Sequence, residues 1–82
     1  KKPTISLFSE GNIYLSTFKP LVESFIKKHI YITYYTLDYK DEILKIKNEY
    51  LNTRYLGFKF LSYFKFSLLE SDYLISTTPN IG

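Results

Sequence analysis

An α/β fold built on a four-stranded parallel sheet is what this sequence predicts, and three observations carry it. Runs of β-branched and aromatic residues alternate four times with helix-like stretches. The links between them are short, and such alternation argues for parallel strands joined by right-handed crossovers. The size and composition suit a single core: 82 residues, 45% hydrophobic and only 23% charged. That is too apolar for a disordered chain and too short for two domains.

The elements follow in order. Thr4-Ile5-Ser6-Leu7-Phe8 is apolar and β-branched and stops at Ser9-Glu10-Gly11-Asn12, so it reads as a strand ending in a loop. Phe18, Leu21, Val22, Phe25 and Ile26 recur at helical spacing and form one apolar stripe. Ser16 or Thr17 is the expected cap, Pro20 falls in the first turn, and the helix ends near His29. Ile30 to Leu37 holds eight uncharged β-branched and aromatic residues, as a strand buried on both faces would.

Asp38 is the expected cap of a short helix through Asp41 to Ile46, with acids in its first turn and Lys45 and Lys47 in its last. Thr53 to Leu56 reads as a third strand before Gly57. Phe58 to Leu69 is a third helix by length, with Phe58, Leu61, Phe64, Leu68 and Leu69 as its stripe and Phe60, Tyr63 and Phe66 on other sides. A helix apolar nearly all round needs cover on more than one side. Asp72 to Ser76 is a fourth strand, followed by the loop of residues 77–80.

The order β-α-β-α-β-α-β matches half of a doubly wound, Rossmann-like three-layer fold, in which four strands lie side by side as 3-2-1-4. Strands 1 and 4 are then neighbours at the switch point where ligands bind in such sheets. Two helices cover one face, one covers the other, and strand 4 is left at an edge. Residues 1 to 82 are therefore expected to be a single Rossmann-like unit, half of a domain that a missing half or a second copy of the chain would complete.

Composition narrows the chemistry. There is no cysteine and one histidine, His29, which removes thiolate chemistry and any multi-histidine metal centre within the chain. The net charge is +3, with basic residues shared evenly between the two halves, so no concentrated nucleic-acid patch is apparent. The first loop has one glycine where a dinucleotide fingerprint needs three, and no Gly-Lys-Ser/Thr phosphate loop occurs. No cofactor is expected in the chain itself. His29 reads as a surface cap away from the strand C-termini.

The switch-point geometry singles out Ser9 to Tyr14 and the loop of residues 77–80. Glu10 is suited to act as a carboxylate base or to bind hydroxyls, and Gly11 to allow close approach of a ligand. The alternative is that Gly11 makes a turn and Glu10 is solvated. A competing pattern is Gly57-Phe58-Lys59-Phe60-Leu61-Ser62-Tyr63, which shares features with the aromatic strand of an RNA-recognition domain. Leu56 and Lys59 depart from that pattern, and the 19 residues after Tyr63 are too few for its last helix and strand.

Phe8-Ser9-Glu10-Gly11, Tyr14, Phe18-Lys19-Pro20 and the later Ser76-Thr77-Thr78-Pro79 together resemble the start of CDP-glycerol glycerophosphotransferase-like proteins. These are relatives of the glycosyltransferase-B type, built from twin Rossmann-like domains. The resemblance runs from about Ile5 to Pro79. Leu15 stands where the pattern has Trp, and the link after Asp38 lacks its Asp-Pro. The resemblance implies transfer of glycerol phosphate, or a related group, from a CDP-activated donor to a cell-envelope acceptor. The donor would be held by a C-terminal domain that is the chain's principal partner. Glu10, Gly11, Asn12, Tyr14, Thr77 and Thr78 would line the acceptor side of the cleft, with Glu10 the one candidate for a catalytic role. Lys19 and Pro20 would position the first helix. A cytoplasmic location, at most peripheral to the inner face of the membrane, follows from the same resemblance. The alternative class is a non-catalytic association module, RNA-recognition-like or dimerising through the third helix and fourth strand.

Overall fold

The computed structural model describes residues 5–76. Four strands, β1 (Ile5–Ser9), β2 (Ile32–Thr36), β3 (Leu51–Tyr55) and β4 (Tyr73–Ser76), form one sheet in the order β3-β2-β1-β4. All three pairings are parallel, with Phe8 opposite Tyr35 on one side and Ser76 on the other. This is the expected α/β, Rossmann-like half-domain. It also excludes an RNA-recognition domain, whose sheet is antiparallel and would carry residues 57–63 on a strand. Here those residues lie in a 3-10 turn, Gly57–Lys59, and the start of a helix.

Helix α1 (Leu15–Lys27) starts before the expected caps Ser16 and Thr17, because a 3-10 turn, Asn12–Tyr14, leads directly into it. Pro20 is therefore inside the helix rather than in its first turn, and it removes the N–H that would have bonded the Ser16 carbonyl. The C-terminus closes with the 6→1 and 5→2 bonds of a Schellman motif. Ile30 N–H donates to the Phe25 carbonyl at 2.9 Å and His29 N–H to that of Ile26 at 3.0 Å. His29 takes the left-handed position usually given to glycine, φ 59°, and its ring stacks on Tyr50 at 5.1 Å.

The expected second helix is a single 3-10 turn, Glu42–Lys45, capped by Asp41 rather than Asp38. The Asp41 carboxylate accepts the Ile43 N–H at 3.0 Å, while Asp38 accepts from Lys40 N–H at 2.9 Å. Six residues gain too few internal bonds to offset the cost of nucleating an α-helix. The chain takes the tighter turn and continues to β3.

The two faces of the sheet carry separate cores. On one face Ile5, Leu7, Ile32, Tyr34 and Leu51 pack against Phe18 and Val22 of α1 and Ile43 of the 3-10 turn. On the other, Phe8 packs with Leu56 and with Phe60 and Phe64 of α2 (Phe60–Glu70). Phe8 is fully buried; its ring stacks on Tyr35 at 4.5 Å and meets Phe60 and Phe64 edge-on at 5.2 and 5.3 Å. β2 is buried on the α1 face only, since α2 leaves Thr33 and Tyr35 half-covered. Its expected double burial is thus half met.

The inward line of α2 is Phe60, Phe64 and Ser67, not the Phe58, Leu61, Leu68 and Leu69 stripe expected from spacing. Phe58 is 98% exposed and Leu69 85%. The reason is the partner surface: the Phe8 ring meets those at positions 60 and 64, Leu74 packs beside them, and only one line of a helix meets a sheet. Replacing Phe8 by Ala should accordingly lower stability by about 3–5 kcal/mol. Phe58→Ala should change it by less than about 0.5 kcal/mol. Urea unfolding of the two variants measures this contrast, and equal effects would contradict the inward line.

Candidate functional site

The C-terminal ends of β1 and β2, together with the loops that follow them, make the polar end of the molecule. Ser9 and Thr36 are fully buried, as is Asp41 at 1% exposed. Tyr34 sits among them. Its ring packs edge-on against Phe18 at 5.8 Å, and its hydroxyl donates to Asp41 Oδ2 at 2.5 Å. Burial pushes the Tyr34 hydroxyl well above its ordinary range, and its bond to the Asp41 carboxylate pushes it further; bonds to Ser9 and Thr36 pull the other way without offsetting the rise. Tyr34 therefore stays neutral and acts as a donor.

Above this buried layer the two loops are tied together. Asn12 Nδ2 donates to the Lys40 carbonyl at 2.8 Å, and Asn12 Oδ1 accepts the Glu42 N–H at 3.0 Å. Asp38 Oδ2 accepts the Asn12 N–H at 3.3 Å. Gly11 makes this approach possible. Its φ of 130° and ψ of −155° lie where side chains are not tolerated, and a Cβ there would fall 2.5 Å from Asp38 Cβ. Ser9 Oγ completes the turn by accepting the Gly11 N–H at 3.0 Å.

Each expected site residue can now be placed. Glu10 is exposed on the first loop, between buried Ser9 and buried Gly11. Gly11 does serve close approach, but to Asp38 rather than to an open crevice. Both ends of the Asn12 amide are engaged in joining the loops. Tyr14 is half-buried and packs against the α1-side core. Thr77 and Thr78, with the rest of the loop of residues 77–80, lie outside the described residues. The chain does reach the same end of the sheet, since Ser76 pairs in register with Phe8.

An open groove of about 580 Å³ runs along this end, lined by Asn12, Ile13, Leu15, Ser16, Lys19, Pro20 and Glu23. Lys19, expected only to position the helix, and Glu23 supply opposite charges one helical turn apart. Its lining sets apolar Ile13, Leu15 and Pro20 beside the polar and charged side chains of Asn12, Ser16, Lys19 and Glu23. Among the described residues, no three of His, Cys, Asp and Glu come together to hold a metal ion. The roles of Asp38, Asp41 and Tyr34 escaped the sequence reading. Their one signal was chemical: a tyrosine alternating with core residues needs a partner for its hydroxyl, and Asp38 and Asp41 are the nearest following acids.

Comparison with known proteins found no matching family model, no matching curated protein and no matching solved structure. No helix among the described residues is long and apolar enough to cross a membrane.

Two expectations follow from this geometry. Gly11→Ala should cost about 2–4 kcal/mol, combining forbidden backbone with overlap on Asp38; an unfolding midpoint equal to that of the parent chain would contradict the contact. Tyr34→Phe should cost about 1–3 kcal/mol by leaving buried Asp41 Oδ2 without its donor, while Oδ1 keeps the Ile43 N–H. The pH dependence has a definite sign. With the folded hydroxyl raised above its unfolded value of 10.0, its contribution is complete below pH 10 and is lost as pH rises further. Above pH 10 the parent chain should lose stability more steeply than Tyr34→Phe, by up to about 1.4 kcal/mol per pH unit. Denaturant midpoints between pH 8 and 11, plotted for both chains, make the comparison.

Proposed function

We propose that this chain is the acceptor-side Rossmann-like unit of a transferase of the CDP-glycerol glycerophosphotransferase type, and that its ligand end is the polar end of the sheet. One observation supports this most: β1 and β4 are parallel neighbours, so the loop carrying exposed Glu10 opens at a switch point beside the groove containing Lys19 and Glu23. The sequence resemblance falls on the same loop. In this reading Glu10 binds or deprotonates an acceptor hydroxyl, Lys19 attracts a phosphate, and Gly11, Asn12 and Asp38 hold the loop in shape without touching ligand. Tyr14 supports the loop from the core side. The CDP-activated donor belongs to a separate C-terminal domain, so the 82-residue chain binds acceptor-like compounds and performs no transfer alone.

The test is a nitrogen-15 NMR titration of the chain with glycerol 3-phosphate and, separately, with CDP-glycerol. Amide shifts should concentrate at residues 10–20, and Glu10→Gln and Lys19→Ala should each weaken binding about five- to tenfold, the loss of roughly 1 kcal/mol. The cytidine moiety should add no affinity. Shifts confined to α2, or none up to tens of millimolar ligand, would overturn the proposal.

A further inference from the structure

The outer edge of β4 is flanked by apolar side chains on both faces of the sheet. On the α1 face Tyr73 is 61% exposed and Ile75 36%, and together with Leu74, Ile5 and Phe25 they line a groove of about 330 Å³. On the α2 face the helix turns a second apolar line in the same direction. Phe60, Phe64 and Ser67 point inward, and Tyr63 leans toward β2, stacking on Tyr35 at 6.1 Å. Leu61 and Leu68, 53% and 56% exposed, are therefore on the opposite flank, the β4 side. Strand β4 itself reads Tyr-Leu-Ile-Ser. It has none of the charges, prolines or bulges that usually keep an edge strand from pairing.

We infer that β4 is a self-pairing edge: two copies of this chain join antiparallel through β4 about a two-fold axis normal to the sheet, giving a continuous eight-stranded sheet. A second copy fits because the strand is complementary to itself. Pairing Leu74 with Leu74 of the second copy sets Tyr73 opposite Ile75, an aromatic and β-branched pair, and Asp72 opposite Ser76. No like charges meet. Both faces are preserved by such an axis, so the two α2 helices lie on the same face with their Leu61 and Leu68 flanks turned toward each other. They stand two to three strand spacings apart, about 10–14 Å.

The area sets the strength. The four exposed side chains amount to roughly two fully exposed large residues per copy, or about 300–500 Å² at about 150–250 Å² each. With the strand backbone, the pair buries on the order of 1,000 Å² in total, at the lower limit for a specific interface. The dimer is therefore weak and concentration-dependent, with a dissociation constant on the order of 1–100 µM. The inference is independent of any ligand at the polar end.

The test is sedimentation equilibrium of the 82-residue chain from about 1 µM to 1 mM, with variants chosen at exposed positions. Ile75→Lys and Leu61→Glu should each shift the dissociation constant at least tenfold toward monomer. Phe58→Glu, in the 3-10 turn that leads into α2, should leave it unchanged. The chain has no cysteine, so Leu74→Cys offers a register-specific readout. Directly opposed residues of an antiparallel pair are close enough for a disulfide, and mild oxidation should yield a covalent dimer; Ser62→Cys should not. A chain monomeric at 1 mM overturns the inference and leaves the edge to a different strand. A dimer broken by Phe58→Glu but not by Ile75→Lys overturns it as well, by placing the contact at the turn before α2.

Discussion

Burial of β1 on both faces is the constraint on which the rest of this fold depends. All five of its residues are buried, and it is hydrogen-bonded along both edges, to β2 and to β4. Leu7 faces α1 and Phe8 faces α2, each at zero exposure. The two helices lie on opposite faces of the sheet and are held in one body through it, with β1 packed against both. Phe8 is the sharper requirement, because one ring satisfies Tyr35, Phe60 and Phe64 at once. Such edge-on and offset contacts contribute about 0.5–1.5 kcal/mol each beyond area burial.

At the polar end, rigidity is supplied by groups that have no freedom left for chemistry. Tyr34, Asp41, Ser9 and Thr36 form a satisfied buried network, and no buried side-chain polar atom among the described residues lacks a partner. Asn12 and Asp38 lock the two loops over it. Exposed Glu10 and the groove side chains Lys19 and Glu23 stand at the same end of the sheet as that buried floor.

The strand and helix order was legible because each element carries a local signal strong enough to survive context, and topology rules then reduce the arrangements to 3-2-1-4. The inward line of α2 was not. With Phe or Leu at Phe58, Phe60, Leu61, Phe64, Phe66, Leu68 and Leu69, several lines have similar hydrophobicity, and the choice is made by Phe8 and Leu74 on other elements. The start of α1 was missed for a related reason: Gly11 and the 3-10 turn after it begin the helical path without any side-chain cap. At the site, Gly11 was recognised as a place of close approach, but nothing local says that the approaching group is Asp38, 27 residues later. That Asn12 ties the loops to Lys40 and Glu42 was equally hidden, because a polar loop residue carries the same signature whether it faces a ligand or joins two loops.

The central position of β1 also orders events in time. It is the first described strand, yet one of its edges is filled by the last described one, and the Ser6 and Ser71 hydroxyls that meet at 2.6 Å are 65 residues apart. Pairing at such separation requires most of the chain to be ordered before the contact returns any free energy, which slows folding of parallel sheets. On a ribosome, β1 emerges before the strand that closes it and waits with a bare edge through the synthesis of α1, β2, β3 and α2. A strand of Ile, Leu and Phe held open for that interval is where premature association between nascent chains would begin.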